Sequence, residues 1–276
     1  KKWENIRMNN IFDEKILMAM AKKYSKKYQE MKPFPHIMID DFMNKTILDK
    51  VVDEFPAPEN LDFYKYDNPL EKKLAMDQIS KLPQSIAQVL FDMNSPIFLK
   101  FLEVLTGIDG LIPDPYYRGG GIHQIVKGGK LDVHIDFNRH PKLKLDRRLN
   151  VLIYLNKDWD EAYGGWFELW TGKREKGKHV LQDCIKKILP LFNRFVVFNT
   201  SEISYHGHPE PLMCPDDRRR LSLATYYYTN GHPEFDDVEN HSTTFIRRPT
   251  DTQDDAIDQL RDLRNKGRLN SNVKHH

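Results

Sequence analysis

The chain has 276 residues, with 42 Lys and Arg against 40 Asp and Glu and a formal net charge of +2. That length can bury one substantial core, and so even a charge balance gives no reason to expect a nucleic acid or a membrane surface as partner. No apolar run approaches the roughly 18 residues of a spanning helix and no secretory signal is visible; Cys184 and Cys214 lack metal-site spacing and suit a reducing cytoplasm better than a disulfide scaffold.

The chain begins at Lys1 without an initiator methionine, which reads as the loss of some amino-terminal sequence. Residues 11–31 carry apolar side chains at helical spacing, with Lys22-Lys23 and Lys26-Lys27 on the solvated face. Residues 34–42 read as a strand entering a helix over 44–55 that Pro56 ends. The stretch 60–74, with Phe63, Tyr64 and Tyr66, shows no periodicity and is read as a surface loop or a lid. A second helical pattern runs from about 82 to 105, and Gly119-Gly120-Gly121 marks a flexible approach to the next region.

Residue types that carry chemistry concentrate beyond Gly121. Leu131-Asp132-Val133-His134-Ile135-Asp136-Phe137 is apolar and β-prone, and residues two apart on a strand share a face, so His134 and Asp136 can reach one metal. With His206 further along they form two imidazoles and one carboxylate, a facial set that suits ferrous iron and leaves coordination positions open. Residues 148–156 form a second strand with Asn150, Leu152 and Tyr154 on one face, followed by a turn and Gly164-Gly165-Trp166-Phe167-Glu168-Leu169-Trp170. Arg194-Phe195-Val196-Val197-Phe198 reads as a buried strand leading to Ser204-Tyr205-His206-Gly207-His208. Arg220-Leu221-Ser222 then opens a strand that runs to Tyr228. An inward arginine among apolar neighbours needs an anionic partner, and a dicarboxylate ligand would supply one. His208 could share the face of His206 if the strand continued, but Gly207 and Pro209 suggest that the chain turns there. His123 could line the site, and His140, before Pro141, reads as a loop residue. After Gly231 the sequence is polar, with a helix expected over 254–263, and His275-His276 reads as the remnant of an expression tag.

The ordered set of His134-x-Asp136, the Tyr154-Leu155-Asn156 strand end, the Gly164-Gly165 turn, His206 and Arg220-x-Ser222 resembles the Fe(II)- and 2-oxoglutarate-dependent dioxygenases, in their prolyl 4-hydroxylase-like branch. Ile153 through Asp160 is similar to the hypoxia-sensing prolyl hydroxylases, and Phe198 through Tyr228 to the ribosomal-protein prolyl hydroxylases; the likeness covers about residues 120–230. It implies a mainly β fold, a double-stranded β-helix (jelly-roll, cupin-like) with flanking helices, organised as a support region over 1–118, a catalytic core over 119–230 and a carboxy-terminal extension over 231–276. It also implies roles. His134, Asp136 and His206 would ligate iron, and Arg220 would hold the distal carboxylate of 2-oxoglutarate in a bidentate pair. Tyr154 would bind that same carboxylate, with Ser222, Asn150 and Gln124 as further cosubstrate contacts. The loop 213–219 lengthens the interval after His206 and leaves open which of Arg218, Arg219 and Arg220 binds the ligand.

The cofactors expected are Fe(II), 2-oxoglutarate and O2, with ascorbate as an accessory reductant, and the expected outcome is hydroxylation of an unactivated C–H bond. Related halogenases lack the carboxylate that Asp136 provides, which argues against halogenation. The resemblance points to a prolyl residue of a protein or peptide as substrate. A free amino acid or other metabolite, or a sensor module without catalysis, are the alternatives. Trp166, Phe167 and Trp170 are read as core or as a stacking surface, and Arg147 or Arg148 as a partner for a substrate carbonyl or carboxylate. Oligomeric state is left open.

Overall fold

The computed structural model of the chain describes residues 11–233 and 239–267; His275-His276 lies outside them. Five helices are present among these residues: α1 (Glu14–Glu30), α2 (Lys45–Asp53), α3 (Gln84–Met93), α4 (Pro96–Thr106) and α5 (Asp255–Asn265). Asp13 caps α1 by accepting the Ile16 N–H, and Asn44 caps α2 through the N–H groups of Thr46 and Ile47. The single helix expected over 82–105 is two helices. Pro96 lacks an N–H and its ring crowds the carbonyl four residues back, so the run stops at Met93 and restarts with Pro96 in the first turn of α4, capped by Ser95.

The strands are β1 (His36–Ile39), β2 (Tyr64–Asn68), β3 (Glu71–Met76), β4 (Ile112–Pro113), β5 (Gly121–Ile125), β6 (Lys130–Ile135), β7 (Asp146–Tyr154), β8 (Phe167–Glu175), β9 (Lys178–Ile188), β10 (Arg194–Asn199), β11 (Tyr205–His208), β12 (Arg220–Thr229) and β13 (Thr244–Phe245). They pair antiparallel in the order β1-β10-β7-β12-β5-β3-β6-β11-β8-β9, a nearly closed jelly-roll. The stretch 60–74 is no simple loop, because β2 and β3 form a hairpin there. Leu74, Ala75 and Met76 pair with β5 while Glu71 and Lys72 pair with β6, so β3 joins the two halves of the roll.

Segments on both sides of 119–230 enter the sheet. β1 extends it beside β10, and β13 pairs with β6, placing Phe245 opposite His134. Helices α1 to α4 cover the outer face of β10, β7 and β12. Side chains alternate along these strands, so Phe195 and Val197, Leu149, Val151 and Ile153, and Leu221, Leu223 and Tyr227 all bury into the helical layer. Phe42 stacks on Phe195 at 4.1 Å, and Phe98 lies 6.4 Å from Tyr227. The alternate residues of the same strands point inward, where Leu152, Tyr154, Val196 and Phe198 meet Phe167, Leu169 and Ile188 of β8 and β9.

Candidate active site

β6 and β11 run side by side with His134 directly opposite His206. Asp136 follows the end of β6 on the same side as His134, and the ligand atoms of the three residues all lie within 4.8 Å of one another. The His134 Nδ1–H donates to the Asp132 carbonyl and the His206 Nδ1–H to the Ser204 carbonyl, both at 2.8 Å. A carbonyl only accepts, so each ring carries its proton on Nδ1 and turns the Nε2 lone pair inward. His134 Nε2 lies 3.7 Å and His206 Nε2 3.4 Å from the Asp136 carboxylate.

Burial, with help from the neighbouring His206, pushes the His134 pKa down to about 3, and burial lowers His206 as well. Burial alone would raise Asp136, but Arg147 foremost, then His206, His134 and a hydrogen bond from Asn150, hold its carboxyl well below the usual range. The group therefore stands as two neutral imidazoles and a carboxylate at neutral pH, the protonation state in which it binds a cation without shedding protons. That donor set fits ferrous iron.

Asn150 is placed differently from the cosubstrate contact that the resemblance implies. Its Nδ2–H donates to Asp136 Oδ2 at 2.6 Å, and its Oδ1 accepts from Arg147 Nε and Nη2 at 2.8 and 2.6 Å. The fully buried Arg147 guanidinium also lies 3.4 Å from Asp136 and is sandwiched between the rings of Phe137 and Tyr226, at 4.4 and 3.6 Å. Arg147 and Asn150 thus aim the carboxylate, and Arg147 also lines the cavity. Sequence reasoning could not see this, because Asp136 meets them across the roll.

Arg220, on β12, is buried. Its Nε donates to the Gly165 carbonyl at 2.9 Å and its Nη2 to the Tyr154 hydroxyl at 3.1 Å. Gly165 has φ +73°, and a Cβ there would sit 2.7 Å from Leu212 Cδ2 and 3.0 Å from Arg220 Cδ, so the Gly-Gly turn is what lets Arg220 lie where it does. Arg218 and Arg219 go elsewhere: Arg218 donates to the Lys157 carbonyl at 3.3 Å, and Arg219 to Gln124 Oε1 at 2.8 Å and to the Pro56 carbonyl at 3.1 Å. Of the three arginines, Arg220 is the one beside Tyr154. Ser222, two residues on, is buried and pairs in register with both Tyr154 and His123.

Gln124 is a correction. It faces Arg219 and Pro56, away from the metal group, because alternation along β5 sends its neighbour His123 into the cavity instead. His208 is another. β11 continues through it, so Gly207 marks no turn and His208 stays on the face of His206, buried. His140 accepts the N–H groups of Lys142 and Leu143 at 3.1 and 2.9 Å and lies 3.4 Å from Asp114, organising its loop. Phe167 packs on Phe198 at 5.3 Å and the Trp170 indole donates to Glu168 at 3.0 Å, both away from the cavity.

A cavity of about 900 Å³ opens onto His134 and Asp136 and is walled by the β2–β3 hairpin through Tyr64, Tyr66, Glu71, Lys73 and Ala75. Sequence reasoning missed Lys73. Glu71 holds it at 3.4 Å and its ammonium sits 4.9 Å from the Tyr66 ring centre. A period-two signal exists here (64, 66, then 71, 73, 75), but the inward face is itself polar, so no contrast of apolar and polar residues announces it.

Residues 120–228 match the family model of the 2OG-Fe(II) oxygenase superfamily. Over 201 residues the chain is 24% identical to prolyl 3-hydroxylase OGFOD1 of Mus musculus, covering 72% of this chain and 33% of that protein, so it spans about a third of the length of this curated relative. Among solved structures, a Pseudomonas putida prolyl-4-hydroxylase superposes with a TM-score of 0.52 at 16% identity, covering 77% of this chain and 100% of that one. A prolyl 4-hydroxylase from Phytophthora capsici superposes with a TM-score of 0.51 at 18% identity, covering 96% and 80%. These two structures share the fold. The jelly-roll core of this chain is thus similar to the 2OG-Fe(II) oxygenase superfamily over residues 120–228, and the chain is similar to prolyl hydroxylases in sequence and in fold.

Proposed function

We propose that the protein is an Fe(II)- and 2-oxoglutarate-dependent dioxygenase that hydroxylates a prolyl residue of a protein or peptide. One observation carries the reading: a three-ligand facial group and a buried arginine–tyrosine pair share the interior of one jelly-roll. His134, Asp136 and His206 would hold the iron, and Arg220 with Tyr154 would hold the distal carboxylate of 2-oxoglutarate, a job for which a planar guanidinium is better suited than an ammonium. Together, bound iron and 2-oxoglutarate supply the oxidation of a C–H bond by O2, with succinate and carbon dioxide as coproducts. The protein's own share is positional. Asn150 and Arg147 keep Asp136 ionised and aimed, while the aromatic rings of Phe198 and Phe245, at 4.7 Å from His206 and 5.7 Å from His134, keep water from the ligands' outer sides. The 900 Å³ cavity lies at the upper end of the usual range for ligand pockets, about 300–1,000 Å³, and offers more room than a free amino acid needs, which supports a peptide. The cytoplasm as its place of action belongs to the same reading, supported by two cysteines that form no disulfide.

Lys73 favours a second reading. A free amino acid needs a fixed cation for its carboxylate, and Lys73 presents one in the cavity wall. The test is competitive: proline-containing peptides and free amino acids are offered together, and substrate-dependent succinate is measured with the gain of one oxygen in each product. Oxygen gained only by a free acid overturns the prolyl-residue reading, and no succinate with any substrate overturns the dioxygenase itself.

A further inference from the structure

Among the described residues, His208 is the one histidine with both ring nitrogens buried and without a hydrogen-bond partner. It is 4% exposed. Three other buried histidines tie down Nδ1: His134 and His206 to carbonyls in the site, and His36 to the Phe34 carbonyl at 2.8 Å. An N–H stripped of water and left without an acceptor is costly, so native chains rarely keep one unless something outside the chain completes it.

Placement narrows what that something is. His208 shares the inward face of β11 with His206 but falls outside the three-residue metal group. The register between β6 and β11 shifts between His206 and His208, a bulge in β6 against which Gly207 packs. A Cβ at 207 would sit 2.9 Å from the Leu131 carbonyl oxygen and 3.0 Å from both the Asp132 oxygen and Val133 Cα. Glycine therefore lets β11 cross the bulge and keep His208 pointing inward. The ionisable groups bearing on its ring are Arg220, Lys73, His134 and His123. Arg220 and Lys73 only donate hydrogen bonds. Neither of these cations can accept the proton that His208 has to donate.

We propose that His208 is a cosubstrate-anchoring residue, an imidazole set in the interior wall with Arg220 that donates a hydrogen bond to a carboxylate of 2-oxoglutarate. A dicarboxylate brings acceptors alone, which complements the Arg220 guanidinium and an unpartnered His208 N–H. The assignment rests on the dioxygenase reading and extends it to a residue outside both the metal group and the arginine–tyrosine pair.

The experiment measures binding, without turnover. Mn(II)-loaded wild type, His208→Val and His208→Gln are titrated with 2-oxoglutarate by calorimetry, and Mn(II) affinity is measured separately without it. Removing a hydrogen bond to a charged group should weaken 2-oxoglutarate binding about ten- to a hundredfold in His208→Val. His208→Gln, which keeps an N–H donor, should recover most of that loss, and Mn(II) affinity should stay unchanged in both. A readout on the unaltered fold accompanies it: the imidazole ¹⁵N signals of His208, assigned through the glutamine variant, should move when 2-oxoglutarate is added to Zn(II)-loaded wild type. Equal 2-oxoglutarate affinity in all three proteins, or still ¹⁵N signals, overturns the proposal while leaving the dioxygenase reading in place. Parallel loss of Mn(II) affinity in His208→Val makes His208 a metal ligand and overturns it as well. Failure of wild type to bind 2-oxoglutarate overturns both.

Discussion

Strand β12 belongs to two environments at once. Leu221, Leu223 and Tyr227 point outward into a dry aromatic and aliphatic layer beneath the helices, while Arg220 and Ser222 point inward and Tyr226 walls the cavity. β7 divides in the same way, with Leu149, Val151 and Ile153 outside and Asn150 and Tyr154 inside. The outer face is complete in itself. The inner face holds ionised and polar groups that are costly to bury, and at His208 it keeps nitrogens that nothing in the chain satisfies. Stability and chemistry are thus assigned to opposite faces of one sheet, and side chains less than a strand's thickness apart should answer to different assays.

The largest test of that division removes a ligand. His134→Ala, Asp136→Ala and His206→Ala should each abolish iron binding and succinate formation, since three-point ligation tolerates little loss; the two histidine variants should leave the melting temperature of the metal-free protein close to wild type, whereas Asp136→Ala should lower it by stripping buried Arg147 of its carboxylate. Calorimetry and metal analysis check this. A His206 variant that kept iron would move the distal ligand elsewhere.

Next in size is the opposite experiment. Phe195 is fully buried under the helices and stacked on Phe42, so Phe195→Ala should cost about 3–5 kcal/mol of stability. Chemical denaturation measures the loss. The fraction that remains folded should bind metal as wild type does, and a matching fall in metal affinity would break the separation of the two faces.

Arg220 tests the inner face without touching the metal. Arg220→Ala should weaken 2-oxoglutarate binding tens- to hundreds-fold, and Arg220→Lys less, because the charge survives but the fork is lost. Metal affinity should not move. If Arg218 or Arg219 variants behaved this way instead, the anchor would have been misassigned.

Asn150→Ala is the smallest and sharpest of the four. It removes the amide that links Arg147 to Asp136, and partners of a ligand commonly contribute about 10–100-fold in metal affinity. A fall in metal affinity with unchanged 2-oxoglutarate affinity places Asn150 with the metal; the reverse pattern would restore it to the cosubstrate.

By itself the sequence determined whatever depends on local pattern. His134 and Asp136 are legible because strand period places residues two apart on one side. The helix expected over 44–55, found as Lys45–Asp53, is legible because its signals lie within a few residues. Arg220 stands out as a charge in an apolar run. The tertiary structure decided everything that depends on which distant segments meet. The hairpin at 64–76 lacks a contrast of polar and apolar faces because its inward face lines a wet cavity, so its sequence reads as a loop. His123 lines the cavity and Gln124 does not, because which of two adjacent strand residues faces inward is set by pairing with β3 and β12. Asn150 hydrogen-bonds Asp136 because the two meet across the roll. Gly207, which reads as a turn in isolation, is the place where one strand passes close over a bulge in another. Periodicity is carried by neighbours along the chain, whereas facing, register and close approach are properties of pairs that the chain brings together only on folding.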